Sequence, residues 1–106
     1  MKTAFAYWEN RIAPVFDTAR WILLLETTFG EIVDERSVEL PGNPAWANAE
    51  VLSDLGVDTL VCGAVSKSTR EQLRIHDIEV ISFIAGDLRD VIHAWKSNLL
   101  KQDSFT

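Results

Sequence analysis

Trp21, Ile22, Leu23, Leu24 and Leu25 follow one another without a polar break. In a strand, where successive side chains point to opposite faces, such a run is apolar on both sides. It falls far short of the ~20 residues needed to cross a bilayer. Residues 20–27 therefore read as a central strand that demands cover on both of its faces.

The neighbouring segments supply partners for it. Residues 3–8 read as a mostly apolar strand, broken by Glu9-Asn10. Residues 11–16 read as loop, because Pro14 lacks a donor and fixes its own φ. A turn at Thr28-Phe29-Gly30 leads to an alternating strand over 31–40, completing an antiparallel meander. Pro41-Gly42-Asn43-Pro44 then breaks the pattern, with Asn43 as N-cap and Pro44 at the first helical position. Trp46, Ala49, Leu52 and Leu55 recur at helical spacing, and Gly56 stops that helix. Residues 58–62 form a short buried strand. Ser68 and Glu71 stand in capping-box register for a second helix ending at His76. Residues 79–85 form the last strand, and Asp87 caps a final helix with Leu88, Val91, Ile92, Trp95 and Leu99 on one face. Residues 1–101 make one domain, and 102–106 a polar tail that should fray. The order β-β-β-α-β-α-β-α, with right-handed crossovers, predicts an α/β chain in three layers, α/β/α. Its five-stranded mixed sheet takes the order 3-2-1-4-5, as in the ribonuclease-H-like architecture.

Composition removes several functions. The chain has 106 residues, 10 Lys plus Arg against 16 Asp plus Glu, and a net charge of −6. That is the size of a single domain, and the acidic balance disfavours nucleic acid, which needs a basic face. One Cys excludes an internal disulfide and any all-Cys metal site within one chain. The apolar run after Lys2 stops at Glu9, too early for a secretory signal. A cytoplasmic location without membrane contact is expected, and the free thiol of Cys62 agrees with a reducing compartment.

In this topology the first, fourth and fifth strands end on one edge, where loops 8–17, 63–66 and 85–87 converge. Ligands of open α/β sheets favour such a crevice. Gly63 and Gly86 lack side chains where a ligand would approach backbone, although turn statistics alone assign both to tight strand-to-helix turns. Helix N-termini after Ser66 and after Gly86 would direct amides and positive dipole ends at an anion, and Arg11 adds a mobile positive charge. Trp8 either lines this pocket or packs the sheet edge. Asp17, between Phe16 and Thr18, reads as architectural, accepting from amides a residue or two onward.

Catalysis is not expected. A nuclease of this architecture needs carboxylates around metal ions, and the first strand carries none. Ser66, His76 and Asp87 are triad types, but no Ser sits in a nucleophile elbow and His76 falls at the far end of its helix. Cys62, His76 and His93 match no metal template. Cys62 reads as a small buried hydrophobe, His76 as a helix-terminal group and His93 as half exposed. Trp46 and Trp95 read as core residues on apolar helical faces.

The segments MKTAFAYWENRIAPVFDTAR (1–20), LSDLGVDTLVCGAVS (52–66) and IEVISFIAGDLRDVI (78–92) together resemble the dinitrogenase iron–molybdenum cofactor biosynthesis family. The likeness runs from Met1 to about Leu100. Its strongest pieces are Arg11 with Pro14-Val15-Phe16-Asp17, Cys62-Gly63-Ala64 with Ser66, and Ala85-Gly86-Asp87. The resemblance implies a ribonuclease-H-like fold and proteins that bind or carry the iron–molybdenum cofactor, its precursors or related metal–sulfur clusters. It directs attention to Trp8, Arg11, Phe16, Asp17, Gly63, Ala64, Ser66, Gly86 and Asp87 as cofactor-binding candidates. The chain departs from cluster-ligating members in having few Cys or His near the edge, and Asp77 stands where a Gly commonly ends the second helix. The expectation is a non-enzymatic carrier of an anionic metal–sulfur cluster. The alternative is a metal-free regulatory or interaction module that binds a small organic anion or a protein. The third strand, as a sheet edge, would permit a homodimer.

Overall fold

The computed structural model describes residues 1–97; Leu99 and the tail from Lys101 lie outside them. Six strands and three helices follow in the order β1 (Lys2–Trp8), β2 (Arg11–Ile12), β3 (Trp21–Thr28), β4 (Glu31–Glu39), α1 (Ala45–Asp54), β5 (Thr59–Val61), α2 (Lys67–Ile75), β6 (Glu79–Ile81) and α3 (Leu88–Lys96). A 3-10 turn at Phe16–Thr18 precedes β3. The sheet runs β4-β3-β1-β5-β6, with β2 paired to β1 off this path. This is the expected order 3-2-1-4-5 once the two-residue β2 is set aside. β1 lies antiparallel to β3 and parallel to β5, and β5 is parallel to β6.

The apolar run divides between the two faces. Ile22 and Leu24 join Ala4, Ala6, Leu52 and Leu73 beneath α1 and α2. Leu23 and Leu25 join Phe5, Leu88, Ile92 and Trp95 beneath α3. The Phe5 and Trp95 rings meet edge to face at 5.5 Å, a favoured aromatic geometry. Both faces are therefore covered, and β1 lies at the centre of the sheet.

Five local expectations give way. Residues 11–12 are strand rather than loop, because the Glu9-Asn10 turn returns them onto Tyr7 and Trp8 before Pro14 is reached. Pro44, not Asn43, is the N-cap of α1, with extended backbone at φ −71° and ψ 163°; its missing N–H costs nothing there. Trp46 is 57% exposed, because it lies one turn before the buried Ala49 and Leu52, beyond their reach onto the sheet. The N-cap of α2 is Ser66 rather than Ser68: Ser66 Oγ accepts from Thr69 N at 3.3 Å, while Glu71 pairs with Arg74. Finally, β6 ends at Ile81 and not at residue 85. Phe83 adopts φ +62°, which an extended strand cannot contain.

β4 forms one edge of the sheet, with Glu31, Asp34, Glu35 and Glu39 exposed. Among the described residues no helix is long and apolar enough to cross a membrane.

Candidate functional site

β1, β5 and β6 end on one side of the sheet, and backbone hydrogen bonds stitch the loops that follow them. Ile12 N donates to Gly86 O at 3.0 Å and Leu88 N to Asn10 O at 2.8 Å, which sets Arg11 directly opposite Asp87. Ala64 N donates to Pro14 O and Phe16 N to Ala64 O, both at 2.8 Å. Phe83 N donates to Gly63 O at 2.9 Å. The three loops thus form one surface.

Within that surface the nine candidate residues take different positions. Phe16 is fully buried in the core and anchors its loop. Asp17 reaches across to the N-terminus of α2, where it accepts from Ser66 N at 2.8 Å, Ser66 Oγ at 2.5 Å and Thr69 Oγ1 at 2.7 Å. Burial opposes its ionisation, but the hydrogen bonds from Ser66 and Thr69 outweigh that and hold its pKa below the usual 3.8. The anion at this helix N-terminus is therefore the chain's own carboxylate, which satisfies donors that a helix otherwise leaves open. Gly63 is packed by protein: a Cβ there would fall 2.5 Å from Pro14 O and 2.6 Å from Ala13 O. Ala64, half-buried, is the residue through which these two loops pair.

Asp87 caps α3 by accepting from Asp90 N at 3.1 Å, and Gly86 before it takes φ +124°. Arg11 is exposed. The ion pairs of the described residues use Arg20, Arg74 and Arg89, so Arg11 stands without one. It lines a hollow of about 370 Å³ together with Glu9, Asn10, Gly86 and Asp87. Trp8, 55% exposed, borders a second hollow of about 310 Å³ with Pro14, Val15 and Thr18. A larger one, about 460 Å³, lies between Met1, Phe29 and Trp95, away from the stitched loops and from Arg11.

Sequence reasoning passed over Glu9 and Phe83. Glu9 occupies the β1–β2 turn at φ +55°, and Phe83 is 74% exposed at φ +62°. Neither conformation is typical of its residue type, so local sequence carries no signal for them.

The edge offers charge and no soft ligand. Cys62 has no exposed surface, and burial pushes its thiol up to about 12, so it presents no ligand at this edge. His76 lies at the far end of α2, its Nδ1 3.2 Å from Ser53 Oγ, and His93 is exposed on α3. Among the described residues no three His, Cys, Asp or Glu gather to hold a metal ion. The residues present fit a complex that brings its own ligands, and do not fit one ligated by protein thiolates.

The profile of the dinitrogenase iron–molybdenum cofactor family matches residues 1–98. No curated protein sequence matches the chain significantly. Among solved structures, PH0822 superposes with a TM-score of 0.87 at 19% identity, over 98% of this chain and 97% of that one. A Methanocaldococcus jannaschii protein provisionally named a dinitrogenase gives 0.76 at 14%, covering 93% and 90%. The apo form of the orange protein from Desulfovibrio gigas gives 0.77 at 17%, covering 92% and 88%. At these identities the three likenesses establish the fold alone.

Proposed function

The chain belongs to the dinitrogenase iron–molybdenum cofactor family, and from that premise we propose a non-enzymatic carrier that holds an anionic metal–sulfur complex as cargo beside Arg11. One observation carries this reading. An exposed guanidinium without an ion-pair partner lines a hollow where the β1–β2 turn meets the Gly86-Asp87 loop. A guanidinium presents a planar fork of donors to an anion. The complex arrives with its metals already ligated, because this edge supplies no thiolate or imidazole, and it is held by charge and hydrogen bonding. Gly86 is the contact we assign beside Arg11, while Trp8 borders the second hollow and Ala64 joins its loop to Val15. Phe16, Asp17, Gly63, Ser66 and Asp87 support the loops that present them.

The lack of soft ligands also supports a second reading, a small organic anion without metal in the same hollow. Anaerobic titration with tetrathiomolybdate followed by gel filtration tests the first. The visible chromophore should co-elute with the wild type and be lost in Arg11→Ala. No retained chromophore with the wild type overturns it, and a metal-free protein carrying a bound metabolite after purification from its native host favours the second.

A further inference from the structure

We propose that the open edge of β4 is a docking strand for a basic extended segment of a partner protein, which adds to the sheet with a Lys or Arg opposite Asp34. β4 ends the sheet order and pairs only with β3 among the described residues. Alternate N–H and C=O groups along it therefore face outward without a strand partner. A bulge bounds the usable length. Thr27 pairs with Ile32 and Glu26 with Asp34, which leaves Val33 out of the ladder and 58% exposed. From Asp34 to Glu39 the pairing is regular, and that is the length of an ordinary strand.

The side chains of this stretch choose the occupant. Asp34 stands directly opposite Glu26, and like charges opposite one another on neighbouring strands destabilise a sheet. Lys2 stands opposite Glu26 on its other side, but its Nζ donates to Leu55 O at 3.1 Å. Neither carboxylate forms an ion pair among the described residues, whereas Glu35 is held by Arg89 and Glu39 by Arg20. The row Lys2, Glu26, Asp34 thus reaches the edge of the sheet with two adjacent carboxylates unbalanced. A cationic side chain opposite Asp34 completes it, while the backbone of the added strand pairs with the open groups of β4.

A second copy of the chain is the poorer occupant. Its own β4 presents Asp34, Glu35 and Glu39 against Arg36 alone, so two such edges meet with like charge in excess. Charge that keeps copies of the chain apart is the charge that attracts a basic strand. The edge is lined by other residues than the Arg11 hollow, so the inference does not depend on what that hollow holds.

The probe is a peptide of about eight residues, strand length, alternating lysine with threonine. Its controls are the glutamate counterpart and a fully N-methylated lysine peptide, which keeps the charge and loses the backbone donors. Each is titrated against the isotope-labelled full chain, with amide shifts and hydrogen exchange read by NMR. The lysine peptide should protect amides within residues 34–39, and bind more weakly as salt is added. Its affinity should fall about fourfold in Asp34→Asn, the effect of one charge ~5 Å away in water. That variant should melt no lower than the wild type, because it loses the repulsion from Glu26. The two control peptides should not bind. Absence of binding by the lysine peptide, protection outside β4, or an affinity unchanged in Asp34→Asn overturns the proposal. Equal binding of the N-methylated peptide overturns strand addition, and equal binding of the glutamate peptide overturns the selection by charge.

Discussion

Replacing Asp17 by Ala removes the acceptor of three hydrogen bonds at once, two from Ser66 and one from Thr69, at 2.5 to 2.8 Å. Each bond to a charged group is worth roughly 1.5–3 kcal/mol when protected from water. Here Ser66 is exposed and Asp17 only partly buried. Water therefore replaces much of what is lost, and the total is about 2 kcal/mol rather than the sum. A local Asp cap of the kind expected from sequence would be worth about 1 kcal/mol. For a domain of this size the larger figure corresponds to a melting-temperature drop of roughly 8–16 °C.

The pH dependence provides an internal control. The folded pKa of Asp17 lies below its usual 3.8. Its contribution is therefore fully present above that value and is lost as pH falls through the lower folded one. Thermal melts of wild type and Asp17→Ala should stay separated from neutral pH down to about 3.8 and converge below it. Coincident melts at neutral pH refute the clasp, and a gap undiminished in acid refutes the role of the charge.

Three further outcomes follow from the geometry. Gly63→Ala would place Cβ against the backbone oxygens of Ala13 and Pro14 and should cost about 3 kcal/mol; an unchanged urea midpoint would show that the loops separate freely. Asn48, fully buried, donates to Phe16 O and Ala19 O and accepts from Gly42 N, so Asn48→Ala should lose about 3 kcal/mol, measured by denaturant unfolding and contradicted by a loss below about 1 kcal/mol. Cys62, with no exposed surface and its thiol pushed up to about 12, should resist a disulfide reagent in the folded protein and react on unfolding; rapid labelling of the native state would contradict its burial.

Three local patterns are found in the structure as the sequence has them. The alternation around residues 21–25, the stop at Gly56 and the cap at Asp87 each depend on near neighbours, and each is found where expected. What depends on distant partners was not legible. Ser66 rather than Ser68 caps α2, in a position shared with Asp17, 49 residues away. Asp17 accepts hydrogen bonds, as its turn suggests, but from donors at the N-terminus of α2 rather than a residue or two onward. The glycine at 63 is explained by the Pro14 backbone, which local turn chemistry cannot reveal. At the site, the convergence of loops followed from topology. The engagement of both helix N-termini did not, and it changes what the edge can attract.

The stitching of Asn10 and Ile12 to Gly86 and Leu88 bears on when the edge comes into being during synthesis. Arg11 is synthesised well before Gly86, and its place beside Gly86 exists only after that later segment has been made and α3 has docked. Long-range closures of this kind are the slow steps of folding. A nascent or truncated chain that stops before Gly86 therefore has the arginine and lacks the hollow. On the proposed reading, a site for cargo exists only once this contact has closed.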